Sequence, residues 1–156
     1  MKIRLLYLAL VSSVVIVACN QSTEKKSKIS ATARDSANRG CLLAVDGVDS
    51  AKLSLITAKD GQVTGSLLIN YLEKGDSDGL LSGKFQGDTL FVDYTFKIGT
   101  INKTFYKNPL AFLKRDGKLL MGVGQIETFL GKSSFVKDKP INFERGRFQF
   151  SQVPCD

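Results

Sequence analysis

The stretch Thr89-Leu90-Phe91-Val92-Asp93-Tyr94-Thr95-Phe96-Lys97-Ile98 has the clearest secondary-structure signal in the chain. Every second residue from Leu90 to Phe96 is large and apolar, whereas the positions between them include Asp93. This period of two is typical of a β-strand with one face in a core and the other in water. Gly87-Asp88, directly before it, is typical of a tight turn. We therefore expect a strand that enters from a turn and belongs to a half-buried sheet.

Further short β-rich runs lie on both sides of this stretch and are separated by turn residues. Asp60-Gly61 and Asp116-Gly117 are signals for hairpin turns. No part of the chain predicts a convincing amphipathic helix, and only residues 127–135 offer room for a short one. The other predicted strands are 41–45, 52–58, 63–72, 80–86, 110–114, 118–126, 141–144 and 147–153, with a further pairing segment at 104–106.

Glycines recur inside the predicted strands, at Gly65, Gly83 and Gly122. Glycine weakens a strand, and inside one it usually marks a bend, a bulge or a barrel corner. Together with the tight turns, these bends predict an all-β fold. We expect a single antiparallel up-and-down β-barrel, or a strongly curved meander, of about eight strands. A β-sandwich is the alternative.

The start of the chain has the features of an export signal. Lys2 and Arg4 precede an apolar run over residues 5–17, which is too short for a membrane span of about 20 residues. The run ends in Ile16-Val17-Ala18-Cys19, which resembles the lipobox of bacterial lipoproteins. The resemblance implies cleavage after Ala18 and acylation of Cys19. The alternatives are an ordinary secretory signal and an uncleaved anchor.

This resemblance implies the domain organisation and the location. Residues 1–18 are the expected signal peptide and 19–39 a lipidated flexible tether, since that segment is polar and has Ile29 as its one large apolar residue. Residues 40–156 are the expected barrel-like domain. We expect the protein in the cell envelope, held by its lipid anchor. Asn20 after the cysteine favours the outer membrane, facing the periplasm or the surface.

The chain has three cysteines, and Cys19 is assigned to the lipid. Cys41 and Cys155 stand near the two ends of the predicted domain. An exported chain folds in an oxidising compartment, where such a pair normally forms a disulfide. We therefore predict a bond between Cys41 and Cys155, which would join the first strand to the last. Two free thiols are the alternative.

The predicted domain resembles the small all-β lipoproteins of Gram-negative envelopes over nearly its whole length, which implies a fold and a location but no activity. The lipocalin-like barrels are a looser likeness, because their Gly-x-Trp signature is missing from a chain without tryptophan. The segments that support the resemblance are Val63-Thr64-Gly65, Gly83 to Leu90, Asp93-Tyr94-Thr95-Phe96, Ala111-Phe112-Leu113-Lys114 and Cys155.

Charge and motifs exclude several classes of function. Most of the net charge of +7 lies in residues 1–39, so the sequence predicts no basic patch for nucleic acid on the domain. The absence of histidine removes the commonest general base and His-ligated zinc. Gly122 to Glu127, Gly131-Lys132-Ser133 and the Asp76/Asp78 pair each lack residues that a dinucleotide, phosphate or calcium loop needs. No cofactor and no metal site are predicted.

Residues 127–140 are long for a connection between strands, and long loops in compact domains are often functional. The segment mixes Phe129 and Phe135 with Lys132 and further lysines. One interpretation is a loop or short helix that plugs a barrel end with its apolar residues. The other is a ligand lid formed by Phe129, Lys132 and Phe135.

We therefore expect a lipid-anchored envelope protein that is a non-enzymatic binding or structural module. Its partners would be the membrane, through the anchor, and a small apolar ligand or an envelope protein. The alternative is an envelope enzyme of unrecognised type. Asp35-Ser36-Ala37 looks like a site that some Gram-negative envelopes O-glycosylate. Neither the oligomeric state nor the ligand follows from the sequence.

Overall fold

A computed structural model describes residues 38–155. Cys19, the predicted signal peptide and Asp35-Ser36-Ala37 lie outside the described residues. Within them, no helix is long and apolar enough to cross a membrane. The strands are β1 (Asn38–Asp46), β2 (Asp49–Thr57), β3 (Gln62–Asn70), β4 (Ser77–Gln86), β5 (Thr89–Ile98), β6 (Tyr106–Arg115), β7 (Lys118–Met121), β8 (Ile126–Phe129), β9 (Lys132–Phe135) and β10 (Gln149–Val153).

Eight of these strands close into an antiparallel barrel in the order β1-β10-β7-β6-β5-β4-β3-β2. The stretch with the clearest alternation is β5, which pairs with β4 from Thr89 opposite Gln86 to Ile98 opposite Ser77. Strands β8 and β9 form a separate two-stranded sheet. The predicted all-β barrel of about eight strands is confirmed, and the β-sandwich alternative is wrong.

The barrel interior is filled by side chains from alternate positions of the strands. In β5 the buried residues are Leu90, Val92, Tyr94 and Phe96, as the sequence pattern predicts. An eight-stranded barrel is just wide enough for such packing. The largest fully buried side chains are Phe112, Phe150, Leu53, Leu67, Leu90 and Val63.

The barrel closes where the first strand meets the last. Strand β1 pairs with β10 over three residues, from Cys41 opposite Val153 to Leu43 opposite Ser151. Cys41 and Cys155 form a disulfide. The Cα atoms of the two cysteines are 5.2 Å apart, and 114 positions separate the cysteines in the sequence. The predicted bond is confirmed, and it lies beside the closing strand pair.

Two of the predicted strand glycines mark positions where the strands approach too closely for a side chain. A Cβ at Gly65 would overlap the carbonyl oxygen of Ser54 on β2, and one at Gly83 would overlap that of Phe91 on β5. Both glycines share the inner face of their strands with buried leucines and valines. The sharp bending that closes a small barrel therefore depends on them.

Several predicted elements differ in the structure. Residues 127–135 form neither a loop nor a short helix, because β8 and β9 pair as a hairpin from Ile126 opposite Phe135 to Phe129 opposite Lys132. The predicted strand 118–126 ends at Met121, and the predicted strand 141–144 is reduced to one bridge between Asn142 and Val123. The hairpin connection that contains Asp60-Gly61 has four residues, since β2 ends at Thr57 and β3 begins at Gln62.

A second, smaller apolar layer lies outside the barrel. Ala111 and Leu120 point outward from β6 and β7, yet both are buried. The chain that leaves β7 turns back over this face, and β9 packs against β6. Gly122 and Gly124 leave the room that Phe135, Ile141 and Phe143 occupy. The glycine-rich segment after β7 therefore makes space for packing outside the barrel and is not a strand interior.

Gly83→Ala is expected to destabilise the protein by about 1 to 3 kcal/mol or more, because the new methyl group overlaps the backbone of β5. Gly40→Ala is the matched control. Its Cβ would meet only Leu42, at 3.8 Å, so its free energy of unfolding should stay close to that of the wild type. Denaturant melts measure both, and equal stability of the two variants would contradict the bend.

Candidate functional site

One end of the barrel is open and forms a mouth of about 380 Å³. Six of the eight barrel strands border it, namely β1, β2, β4, β6, β7 and β10 or the turn residues beside them. The register places most of its lining on the inner face, whereas Arg39 and Lys118 lie at outward-facing positions of their strands and border the edge. Gly40 lies opposite Leu55, Leu42 opposite Gln152, and Lys114 opposite Leu119. The mouth is therefore the outermost layer of the barrel interior, left unfilled.

The floor of the mouth is apolar. Leu55 and Leu119 are each 7% exposed, and Leu42 packs against the core from the same side. Below this layer Phe112 and Phe150 are fully buried, so the space does not continue into the barrel. Phe85 stands at the edge and is 37% exposed. Any ligand would thus rest on the end of the core.

The rim of the mouth is polar and positively charged. Thr57 and Gln152 contribute uncharged hydrogen-bonding groups, and Arg39, Lys114 and Lys118 contribute the charges. None of the lining residues is acidic. Among the described residues, no ion pair involves any of the three cations. An apolar floor with a few converging polar groups is the usual composition of a small-molecule site.

The opposite end of the barrel is closed by a polar cluster centred on Arg147, and a smaller pocket of about 300 Å³ lies beside this cluster. Its Nε donates to Oδ2 of Asp46 at 2.5 Å, and its Nη2 donates to Oδ2 of Asp49 at 2.8 Å. Asp49 also accepts from the backbone N–H of Leu72 at 3.0 Å. The hydrogen bond from Leu72 and then that from Arg147 lower the pKa of Asp49. The cluster joins the β1–β2 turn to the segments after β3 and before β10, so its groups are engaged in holding the fold.

Tyr94 completes this end from inside the barrel. Its hydroxyl lies 2.8 Å from the carbonyl oxygen of Leu67 and 3.1 Å from that of Ser77, and it donates to them. Burial, and secondarily the charge of Asp78, raise the pKa of the Tyr94 phenol well above its usual range. The group therefore stays protonated and acts as a hydrogen-bond donor between β3 and β4.

The predicted lid residues are only partly brought together. Phe129 stands beside the tip of the β8–β9 hairpin and is 75% exposed, so the interpretation of it as a core plug is wrong. Lys132 and Phe135 line a cleft of about 530 Å³ between β9 and the outer face of β4 to β6. That cleft lies outside the barrel. The lid itself stays a prediction.

The outer face has two adjoining grooves of about 640 and 550 Å³, which extend over β1 to β6 and β10 and share Arg39, Ser54 and Ser66. They are larger than the mouth, but their lining contains charges of both signs. Asp93, for example, is already paired with Lys107 at 2.9 Å. We regard the mouth as the better-defined site because its charges have one sign and its floor is continuous with the core.

The rejected motifs have ordinary structural positions. Gly131 is the second residue of the β8–β9 turn and has a φ of 76°. Asp78 lies on β4 opposite Lys97 of β5. Within residues 38–155 no group of three or more histidine, cysteine, aspartate or glutamate side chains could hold a metal ion.

The mouth was not predicted from the sequence. A signal for it exists, because inner-face positions change from apolar to polar at the strand ends, from Leu55 to Thr57 and from Phe112 to Lys114. No family model, curated protein or solved structure matches this chain.

Asp49→Asn is expected to lower the free energy of unfolding at neutral pH, because Leu72 and Arg147 lose an ionised acceptor. The folded state holds the pKa of Asp49 below its ordinary value of 3.8. The stabilisation is therefore complete above that value and is lost as the pH falls through the folded pKa. Denaturant melts from about pH 7 to pH 2 should show the wild type and the variant converging at the acid end.

Asp76→Asn is the control, since no hydrogen bond or ion pair involves the Asp76 side chain among the described residues. It should leave the stability unchanged at neutral pH. A loss equal to that of Asp49→Asn would contradict a specific role of Asp49.

Proposed function

We propose that the protein is a lipid-anchored cell-envelope module that binds a small apolar ligand at the open end of its barrel and does not transform it. The observation that carries this proposal is the mouth, which has an apolar floor and lies at the end of an otherwise filled barrel. Its volume of about 380 Å³ lies at the small end of the range typical of ligand sites. A ligand there would cover Leu42, Leu55 and Leu119.

The polar groups of the barrel support a binding role over a chemical one. Asp49 and Ser77, the buried polar residues, belong to the closed end, and no buried side-chain nitrogen or oxygen among the described residues lacks a hydrogen-bond partner. At the mouth, the groups that line the rim are lysine, arginine, threonine and glutamine. They can orient a ligand by hydrogen bonds and charge, and none is paired with a second group that would activate it.

The envelope location is supported by the disulfide and by the lipobox resemblance at Ile16-Val17-Ala18-Cys19. Disulfides persist in oxidising compartments and are rare in the cytosol. The barrel begins at Asn38, so a short polar segment separates Cys19 from it, as an anchor on Cys19 requires. Two or three acyl chains on Cys19 would give a lasting anchor, whereas a single chain gives a marginal one.

The binding proposal predicts that filling the mouth abolishes uptake of a neutral apolar probe. Gln152→Trp places a large ring at the rim from the inner face of β10. Gln149→Trp adds the same ring on the outer face of the same strand, and both glutamines are exposed, so neither change should unfold the barrel. Titration with N-phenyl-1-naphthylamine should show binding to the wild type and to Gln149→Trp, and at least a tenfold loss, about 1.4 kcal/mol, for Gln152→Trp. No binding to the wild type would refute the proposal.

The anchor proposal predicts a mature chain that starts at Cys19 and is heavier by its lipids. Mass spectrometry of protein extracted from the membrane measures this directly. Cys19→Ala should remove the added mass. A lipid-modified product of Cys19→Ala, or a wild-type chain that starts at another residue, would contradict the assignment.

A further inference from the structure

The mouth is bordered by positive charges and, among the described residues, by no negative ones, an arrangement that a neutral ligand does not require. Arg39 precedes its inner wall on β1, Lys114 projects from the inner face of β6, and Lys118 begins β7. These cations come from separate strands and border one opening, Lys114 from the inner face and Arg39 and Lys118 from outward-facing positions at its edge. The acidic residues of the neighbouring turns, Asp88 and Asp116, do not line it.

The position of Lys114 is fixed by the sheet. Lys114 follows the fully buried Phe112 by two residues, on the same face of β6, and lies opposite Leu119 of β7. Its backbone N–H donates to the carbonyl oxygen of Asp88 at 2.8 Å. A lysine held there rests its aliphatic stem on the apolar floor and keeps its ammonium group at the rim. The strand therefore aims a positive charge at the edge of an apolar surface.

Three other cations of the described residues are neutralised by carboxylates, whereas Lys52 and Lys84 on the outer face are not. Lys107 pairs with Asp93, Arg115 with Glu144 at 2.7 Å, and Arg147 with Asp46 and Asp49. The rim cations have no such partner among the described residues. Charges of one sign that border the same opening repel, and an anion bound there reduces the repulsion.

We infer that the ligand of this site is an anionic amphiphile, an acyl chain with one carboxylate or phosphate group. This inference rests on the proposed function and adds the chemical class of the ligand. The chain would cover Leu42, Leu55 and Leu119 while the anionic group accepts hydrogen bonds from the rim cations. Gly40 leaves room for the ligand because it has no side chain. A Cβ at this position would have only Leu42 within contact distance, at 3.8 Å.

The test compares decanoate with methyl decanoate, which has the same chain and no charge. Residues 38–156 are used after export to an oxidising compartment, because the barrel, its core and its disulfide lie entirely within them. Each compound displaces N-phenyl-1-naphthylamine at low salt. We expect decanoate to bind about tenfold more tightly than the ester, since hydrogen bonds to charged groups strengthen binding by at least that factor.

The double variant Lys114→Gln/Lys118→Gln should lose this preference while its affinity for the ester stays unchanged. An unchanged affinity for the ester also shows that the mouth is intact. Lys52→Gln/Lys84→Gln changes the net charge equally from outside the mouth, and it should keep the preference for the acid. Added salt should reduce the preference in the wild type, because exposed charges are screened.

A further arm uses monomeric dihexanoyl phosphatidylglycerol and its phosphatidylcholine counterpart. Displacement by decanoate alone assigns a free acid, whereas displacement also by the anionic phospholipid assigns a membrane lipid. Equal affinities of acid and ester, or a preference that survives the mouth variant, would overturn the anionic assignment and leave the site in place. Failure of every compound and of the probe would instead overturn the proposed function.

Discussion

The structure depends on the pairing of β1 with β10, because that contact turns a curved sheet into a barrel. The pairing is short, spanning Cys41 to Leu43 on one strand and Ser151 to Val153 on the other. The Cys41–Cys155 bond reinforces it by closing a loop of 114 residues in the unfolded chain. In the chain-entropy model such a loop is worth about 4 to 5 kcal/mol. Without closure there would be no interior and therefore no mouth.

The two ends of this barrel have opposite chemistry. One end is closed, since Arg147 spans the carboxylates of Asp46 and Asp49, and Tyr94 donates to backbone carbonyls beneath them. The other end leaves its cations unpaired over leucine side chains. The polar groups of the first end are occupied with each other, whereas those of the second are available. This difference gives the barrel a direction, and it is the physical basis for placing the binding site at the open end.

The parts of the fold that follow from local pattern were predictable. The alternation from Leu90 to Phe96 predicts the strand and its buried face. The two cysteines left at the ends of an exported domain, Cys41 and Cys155, predict the bond that closes the barrel. The strand glycines were read correctly as bends at Gly65 and Gly83. Gly122 was misread, because a glycine that makes room for a ring outside the barrel looks the same in sequence.

The β8–β9 hairpin was missed for a related reason. All four residues of β8 are exposed, so the strand has no alternation to detect. Its turn is Leu130-Gly131, and Leu130 has a φ of 48°, a conformation that normally signals asparagine, aspartate or glycine. The mouth was missed because six strands contribute to it, and only their register brings Lys114, Leu55 and Gln152 together. Pattern within a segment cannot supply that register.

The place of β10 in the chain has a consequence for how the protein is made. Synthesis runs from the amino terminus, so β1 to β6 can pair as a curved meander long before Gln149–Val153 exists. Until then β1 has an unpaired edge, the condition in which strands add to neighbouring chains. The arrival of β10 therefore decides whether the nascent sheet becomes a monomeric barrel or aggregates. A chain that stops before Cys155 would lack the disulfide, and one that stops before Gln149 would also lack the strand that removes the edge.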